Sequence, residues 1–486
     1  MLRSNLIEAI RTLSQKEMKE FGEFVSSPFF NKNKNVIKLY GIIKKYYPGL
    51  ESEKLSKENV YAKLFPSEKY KDSSMRLLMF YLYETLEKFL AYSSYIRNEL
   101  QYKKNLLAEF NERNLLKDFE KTYTQVKEKL DATLTKDEEF YTNSFDIASV
   151  YFAFLSKVHS EKYEKYMNGE NLESMFSSLT YNYLIRIFKF YTAVLNTHFL
   201  LNAKINTDHF ENILSNFNPA QFENVPLVNI YYRVIMMLMK PREEEHYFML
   251  KKLVLENEQA LGNVDLSNLY INLENYCTRK VRSGNMNFLR ENFELYDLEI
   301  EKGLYKTNDN MSSAFYVSYV VVGCRLKEYD KVKDFIEKYK SEMRKDSRES
   351  LFNFCKAMLE TDLKNFEKAL EFLSKVKTDE LYLKMDVRML QSRLYYMLDW
   401  DDSLNSLLDA FRRTLANNKL MPEFRKLHYS NFVKYLGRLN NIRHKADELD
   451  LDVLRNQVQK EDTFYYKDWL VKMMDELEKK LLVVRV

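Results

Sequence analysis

Glu243 and His246 stand three residues apart, the Glu-x-x-His spacing that puts a carboxylate and an imidazole on one helix face and that di-iron bundles use to hold metal. That chemistry needs a second such pair and two further helical glutamates. The other histidines, His159, His198, His209, His428 and His444, have no Glu three residues before them, and no two of the six lie three to five residues apart. No helix face therefore offers a two-histidine metal site. With Glu244 and Glu245 alongside, just after Pro241, Glu243 reads instead as part of an acidic helix start that complements the macrodipole. No metal and no cofactor is expected.

Cys277, Cys324 and Cys355 are odd in number and far apart, with no C-x-x-C pair, so they signal neither a disulfide framework nor zinc. They read as buried helix packing in a reducing, cytoplasmic setting. The Met236, Met237 and Met239 group reads as helix core too. A P-loop, a dinucleotide fingerprint and a nucleophile elbow are absent, and the 9 glycines never fall close enough together to cradle a phosphate. With 71 acidic residues, any carboxylate pair picked from the sequence is arbitrary. The expectation is a chain that is not an enzyme. Convergence of two carboxylates with displaced pKa values in a pocket would favour catalysis.

Few residues here favour tight turns: 9 glycines and 7 prolines in 486 residues leave long helices with short connections. Pro28, Pro48, Pro66, Pro219, Pro226, Pro241 and Pro422 all fall between periodic apolar runs. Ser14 and Glu17 form a capping box ahead of an amphipathic run, and a second helix from about 33 to 46 stops at Pro48-Gly49. Longer helices follow at about 72–98, 101–111, 114–131, 136–158 and 171–204, the last apolar nearly all round and hence largely buried. Helices at about 423–440, 443–459 and 463–482 close the chain, with Asp462 as the N-cap of the last. The class is all-α. Three regions are expected: 1–135, a long-helix middle at 136–262, and 263–486.

Charge excludes little, since 75 basic residues face 71 acidic ones. Aromatics are 15% of the chain, which suits helix interfaces and also follows from A/T-rich coding. No uncharged stretch reaches the roughly 20 residues a membrane helix needs, and Glu8 interrupts any secretion signal. A local basic excess lies in residues 1–50, nine basic against four acidic, where Lys32, Lys34, Lys38, Lys44 and Lys45 frame the second helix. A solvated face is the ordinary reading; the alternative is a patch that meets nucleic-acid phosphates.

The C-terminal half repeats. Phe366 to Trp400, Ala369 to Ser403 and Ala357 to Gln391 are each 34 residues, and looser copies precede them around Tyr329 and Val332 and around Met286 and Leu289. On these residues the stretch 350–417 resembles two tetratricopeptide repeats, loosely extended over about 270–420. The resemblance implies antiparallel hairpins stacked as an α-solenoid, with the first helix of each hairpin lining a concave groove. Matching groove positions are Arg282, Arg325, Arg388, Ser392, Tyr395 and Tyr396. Guanidinium forks and tyrosines suit an acidic or C-terminal peptide, so a protein or peptide partner is expected. Separately, the segment from Phe24 to Asn31 (FVSSPFFN) resembles the N-terminal region of an uncharacterised bacterial family of long helical proteins, which implies no activity.

Overall fold

Ser14 opens its helix as the capping box requires. The Glu17 amide donates to Ser14 Oγ (3.1 Å), and the Ser14 amide donates to Glu17 Oε2 (2.8 Å). The computed structural model describes residues 4–158, 160–166, 169–201, 206–307, 309–418, 421–445, 448–461 and 465–484. His159 and Asp462 lie outside the described residues. The chain is all-helical, 80% helix, with a two-residue hairpin pairing Lys306 with Met311 and Thr307 with Asn310. Among the described residues, no helix is long and apolar enough to cross a membrane.

Two compact units emerge, residues 1–133 with 142–179, and residues 134–141 with 180–486. In the first, helices Asn5–Arg11, Gln15–Ser26, Lys34–Lys44 and Lys57–Leu64 pack with Asp72–Arg97 around Ile7, Phe21, Val36, Leu39, Ile43, Leu82 and Phe89. Gly22 is required there, because a Cβ on it would meet the Tyr40 ring at 2.8 Å while the Tyr40 hydroxyl donates to the Met18 carbonyl (2.5 Å). Lys104 joins later elements of the same unit, donating to Asn143 Oδ1 (2.9 Å) and Asp146 Oδ2 (2.6 Å).

In the second unit, among the described residues, thirteen helices from Pro226–Met239 to Lys467–Val484 each pack on the next. Helix Ser313–Arg325 also touches Arg348–Asp362, which in turn touches Leu381–Met397. One turn recurs between paired helices: Gly284, Lys327, Lys364 and Asp399 all have positive φ (97°, 62°, 65° and 56°). After each, an amide donates back to the carbonyl five residues earlier at 2.9 Å: Asn285 to Lys280, Glu328 to Gly323, Asn365 to Glu360, and Trp400 to Tyr395. This is the hydrogen-bond lock of a helix that ends in a left-handed residue.

The lock fixes the register, and it departs from the 34-residue spacing. Lys364 and Asp399 are 35 apart. Ala369 therefore matches Leu404, both fully buried, while Ser403 is exposed. Likewise Ala357 matches Ser392, both fully buried, rather than Gln391. Phe366 begins its helix, whereas Trp400 is an N-cap and is 46% exposed, so the two aromatics are not equivalent. The turn between paired helices keeps its length, residues 363–365 in one hairpin and 398–400 in the next, so the added residue lies between the hairpins.

Two burial expectations also fail. Helix Gly169–Leu201 exposes Leu172, Phe176, Leu179, Tyr183 and Phe190, which recur at helical spacing along one stripe, so apolar character all round does not mean burial all round. Met237 is fully buried, but Met239, at the C-terminal end of its helix, is exposed.

Candidate ligand-binding surface

The six expected groove residues do not share one surface. Arg282 and Arg325 do hold equivalent places, each two residues before a left-handed turn, and Asp362 holds the same place in the next hairpin. Arg388 turns toward the following helix, where Nη1 donates to Thr414 Oγ1 (2.6 Å), and it also lines a polar cleft of about 950 Å³ with Arg344, Asp346, Lys377, Lys384 and Gln391. Tyr395 accepts from Gln391 Nε2 (2.6 Å) and lies against Trp400. Ser392 is fully buried and donates to the Arg388 carbonyl (2.8 Å), so it can meet no ligand.

Arg325 and Tyr396 instead meet the residues that open the last helix. Arg325 Nη2 donates to Asp468 Oδ2 (2.9 Å), and Trp469 packs edge-on against Tyr396 (centroids 5.8 Å). Arg393, not expected from the sequence, lies over the rings of Tyr466 (4.3 Å) and Trp469 (5.1 Å). Tyr465 packs on His428 (5.1 Å) and Tyr429 (4.9 Å), and Arg425 covers Tyr382 (4.4 Å). Helices Ser313–Arg325, Leu381–Met397 and Glu423–Lys445 thus present a basic and aromatic surface that holds the stretch 465–469.

Electrostatics around it are set by burial and by arginine. Burial raises the Asp362 carboxyl even with Arg393, Lys472 and Arg325 nearby. Burial also pushes Asp386 up to about 6 against the hydrogen bond it accepts from Tyr429 (3.1 Å) and the charge of Arg425. His428 is lowered by burial and by the charge of Arg282. The chemistry offered is recognition of an anion and of rings.

Two other constellations are structural. His246 Nε2 lies 3.1 Å from Glu243 Oε2, and Arg233 Nη1 lies 3.4 Å from His246 Nδ1. An arginine can only donate, so Nδ1 accepts and Nε2 donates to Glu243. Among the described residues no group of three or more His, Cys, Asp or Glu could hold a metal. Glu274 and Glu299, on consecutive helices, do converge: burial raises both carboxyls, Glu299 further because Glu274 lies beside it. Glu299 is 3% exposed and is not among the residues that line the cleft. The three cysteines are buried, and burial raises their thiols, Cys277 to about 12.

In the first unit, Lys32, Lys34, Lys38, Lys44 and Lys45 are all exposed, and among the described residues none is in an ion pair. Lys34, Lys38 and Lys45 share one stripe of their helix, with Phe29, 87% exposed, in the loop that precedes it.

No family model matches the chain, and neither a curated protein nor a solved structure is detectably similar to it.

Proposed function

We propose that the chain is a non-catalytic helical-repeat scaffold whose C-terminal hairpins stack as a tetratricopeptide-like α-solenoid and bind a protein or peptide partner. The observation that carries this reading is the turn lock repeated after Arg282, Arg325, Asp362 and Met397. Hairpins joined by the same turn present equivalent side chains in a row, and such a row suits an extended ligand better than a compact metabolite. Affinity capture with tagged full-length chain, followed by mass spectrometry, tests it. A partner held by the parent and lost on charge reversal at Arg388 or Arg393 is the expected result. Recovery of no specific partner across growth conditions would count decisively against the scaffold.

A second reading is favoured by the unpaired lysine stripe beside Phe29: the first unit meets nucleic-acid phosphates, with the exposed ring stacking on a base. Binding to RNA or DNA that weakens steeply with added salt, and weakens again in a Lys32→Glu, Lys34→Glu, Lys38→Glu variant, would support it. Undetectable binding at about 50 mM salt, where charge contacts are strong, ends it.

A further inference from the structure

The stretch Tyr465–Trp469 makes the contacts that a bound peptide would make. It lies against three helices that begin 152, 84 and 42 residues before Tyr465 in the chain. It supplies a carboxylate to Arg325, two rings to Arg393 and one ring to His428. We infer that this surface is a recognition site held in cis by Tyr465–Trp469, and that its partner is a peptide segment in which an acidic residue is flanked by aromatic residues, which displaces the stretch. This rests on the scaffold reading and adds the chemistry of the ligand.

Several observations make displacement feasible. The Asp468 side chain is 80% exposed and that of Arg325 37%, so their ion pair is a surface contact that contributes little to stability. The last helix is anchored further on, by Leu470, Met473, Met474 and Leu477 buried among Phe432, Leu436, Leu454 and Val458. Only residues 465–469 must lift for the surface to clear, while those four side chains stay in place. The rings alone do not define the partner. Arg393 stacking on Tyr466 and Trp469 selects aromatic faces, and Arg325 selects a carboxylate next to them, so both features are needed together.

The test uses full-length chain and a fluorescent peptide of residues 465–478, acetylated and amidated, read by polarisation. The parent should bind it weakly, because its own copy competes at high effective concentration. A Trp469→Ala, Asp468→Ala chain should bind it at least tenfold more tightly, and adding Arg393→Ala should abolish that gain. A peptide carrying Lys in place of the acidic residue should bind neither chain. Asp468→Ala alone, which removes only an exposed carboxylate, serves if the double variant loses its helical circular dichroism. A folded, opened chain with no gain in affinity overturns the inference. Partner capture that persists alongside that result would leave the scaffold standing and sink only the ligand chemistry.

Discussion

Lys364 and Asp399, 35 residues apart, hold the same left-handed backbone (φ 65° and 56°) at the same point of successive hairpins. A lysine there places its Cβ against the following carbonyl, a strain that glycine avoids. Lys364→Gly should therefore raise stability by about 0.5–1 kcal/mol, the strain relief exceeding the added freedom of the unfolded chain. Asp399→Gly should gain less, because aspartate tolerates this conformation. Urea midpoints of the two variants against the parent check both statements.

Ala369 and Ser403 separate the 35-residue register from the 34-residue one. Ala369 is fully buried and Ser403 is exposed. Ala369→Leu should cost about 1–3 kcal/mol by overpacking, and Ser403→Leu should stay within about 0.5 kcal/mol. Equal losses in thermal melts would restore the shorter spacing.

Gly323 allows helix Ser313–Arg325 to approach Tyr329–Lys338. A Cβ on it would stand 2.4 Å from Val332 Cγ2 and 3.1 Å from the Phe293 ring. Gly323→Ala should destabilise by about 1–3 kcal/mol, in spite of alanine's better helix propensity. In the Val332→Ala background the same change should cost less, and a double-mutant cycle reads the difference. Strict additivity would mean the two do not touch.

Glu299 should make stability depend on pH. Its carboxyl is raised in the folded chain by burial and by Glu274, so the folded state holds a proton that the unfolded state releases above the ordinary value of 4.5. Stability from this group is then fully present below 4.5 and is lost as pH rises toward the folded value. Glu299→Gln, which stays neutral, should melt higher than the parent at alkaline pH and lose that advantage below pH 4.5. Parallel profiles for the two proteins would show that the Glu299 carboxyl is not raised by folding.

The helical class was legible because apolar spacing, caps and scarce glycine all agree, as at Ser14 and Glu17. Register was less so, since the turn lock uses backbone groups alone and accepts Gly284, Lys327, Lys364 or Asp399 without a common letter. The candidate surface was half legible. Arg325 and Tyr396 were found from their helix positions, but Arg393 faces a segment more than 70 residues away, which no local period encodes. Tyr465-Tyr466-Lys467-Asp468-Trp469, with one of only two tryptophans, was the signal available in the sequence.

The Arg325–Asp468 pair closes a loop of 143 residues. Contacts within each hairpin join residues a few dozen apart and close short loops, so they can form early, whereas this one waits until five or more helices are in place. Its ordering entropy is set against a single exposed ion pair and a few half-buried rings. In hydrogen exchange the amides of the first turn of Lys467–Val484 should therefore open at lower free energy than those of Glu423–Lys445, as a sub-global event that leaves the hairpins folded.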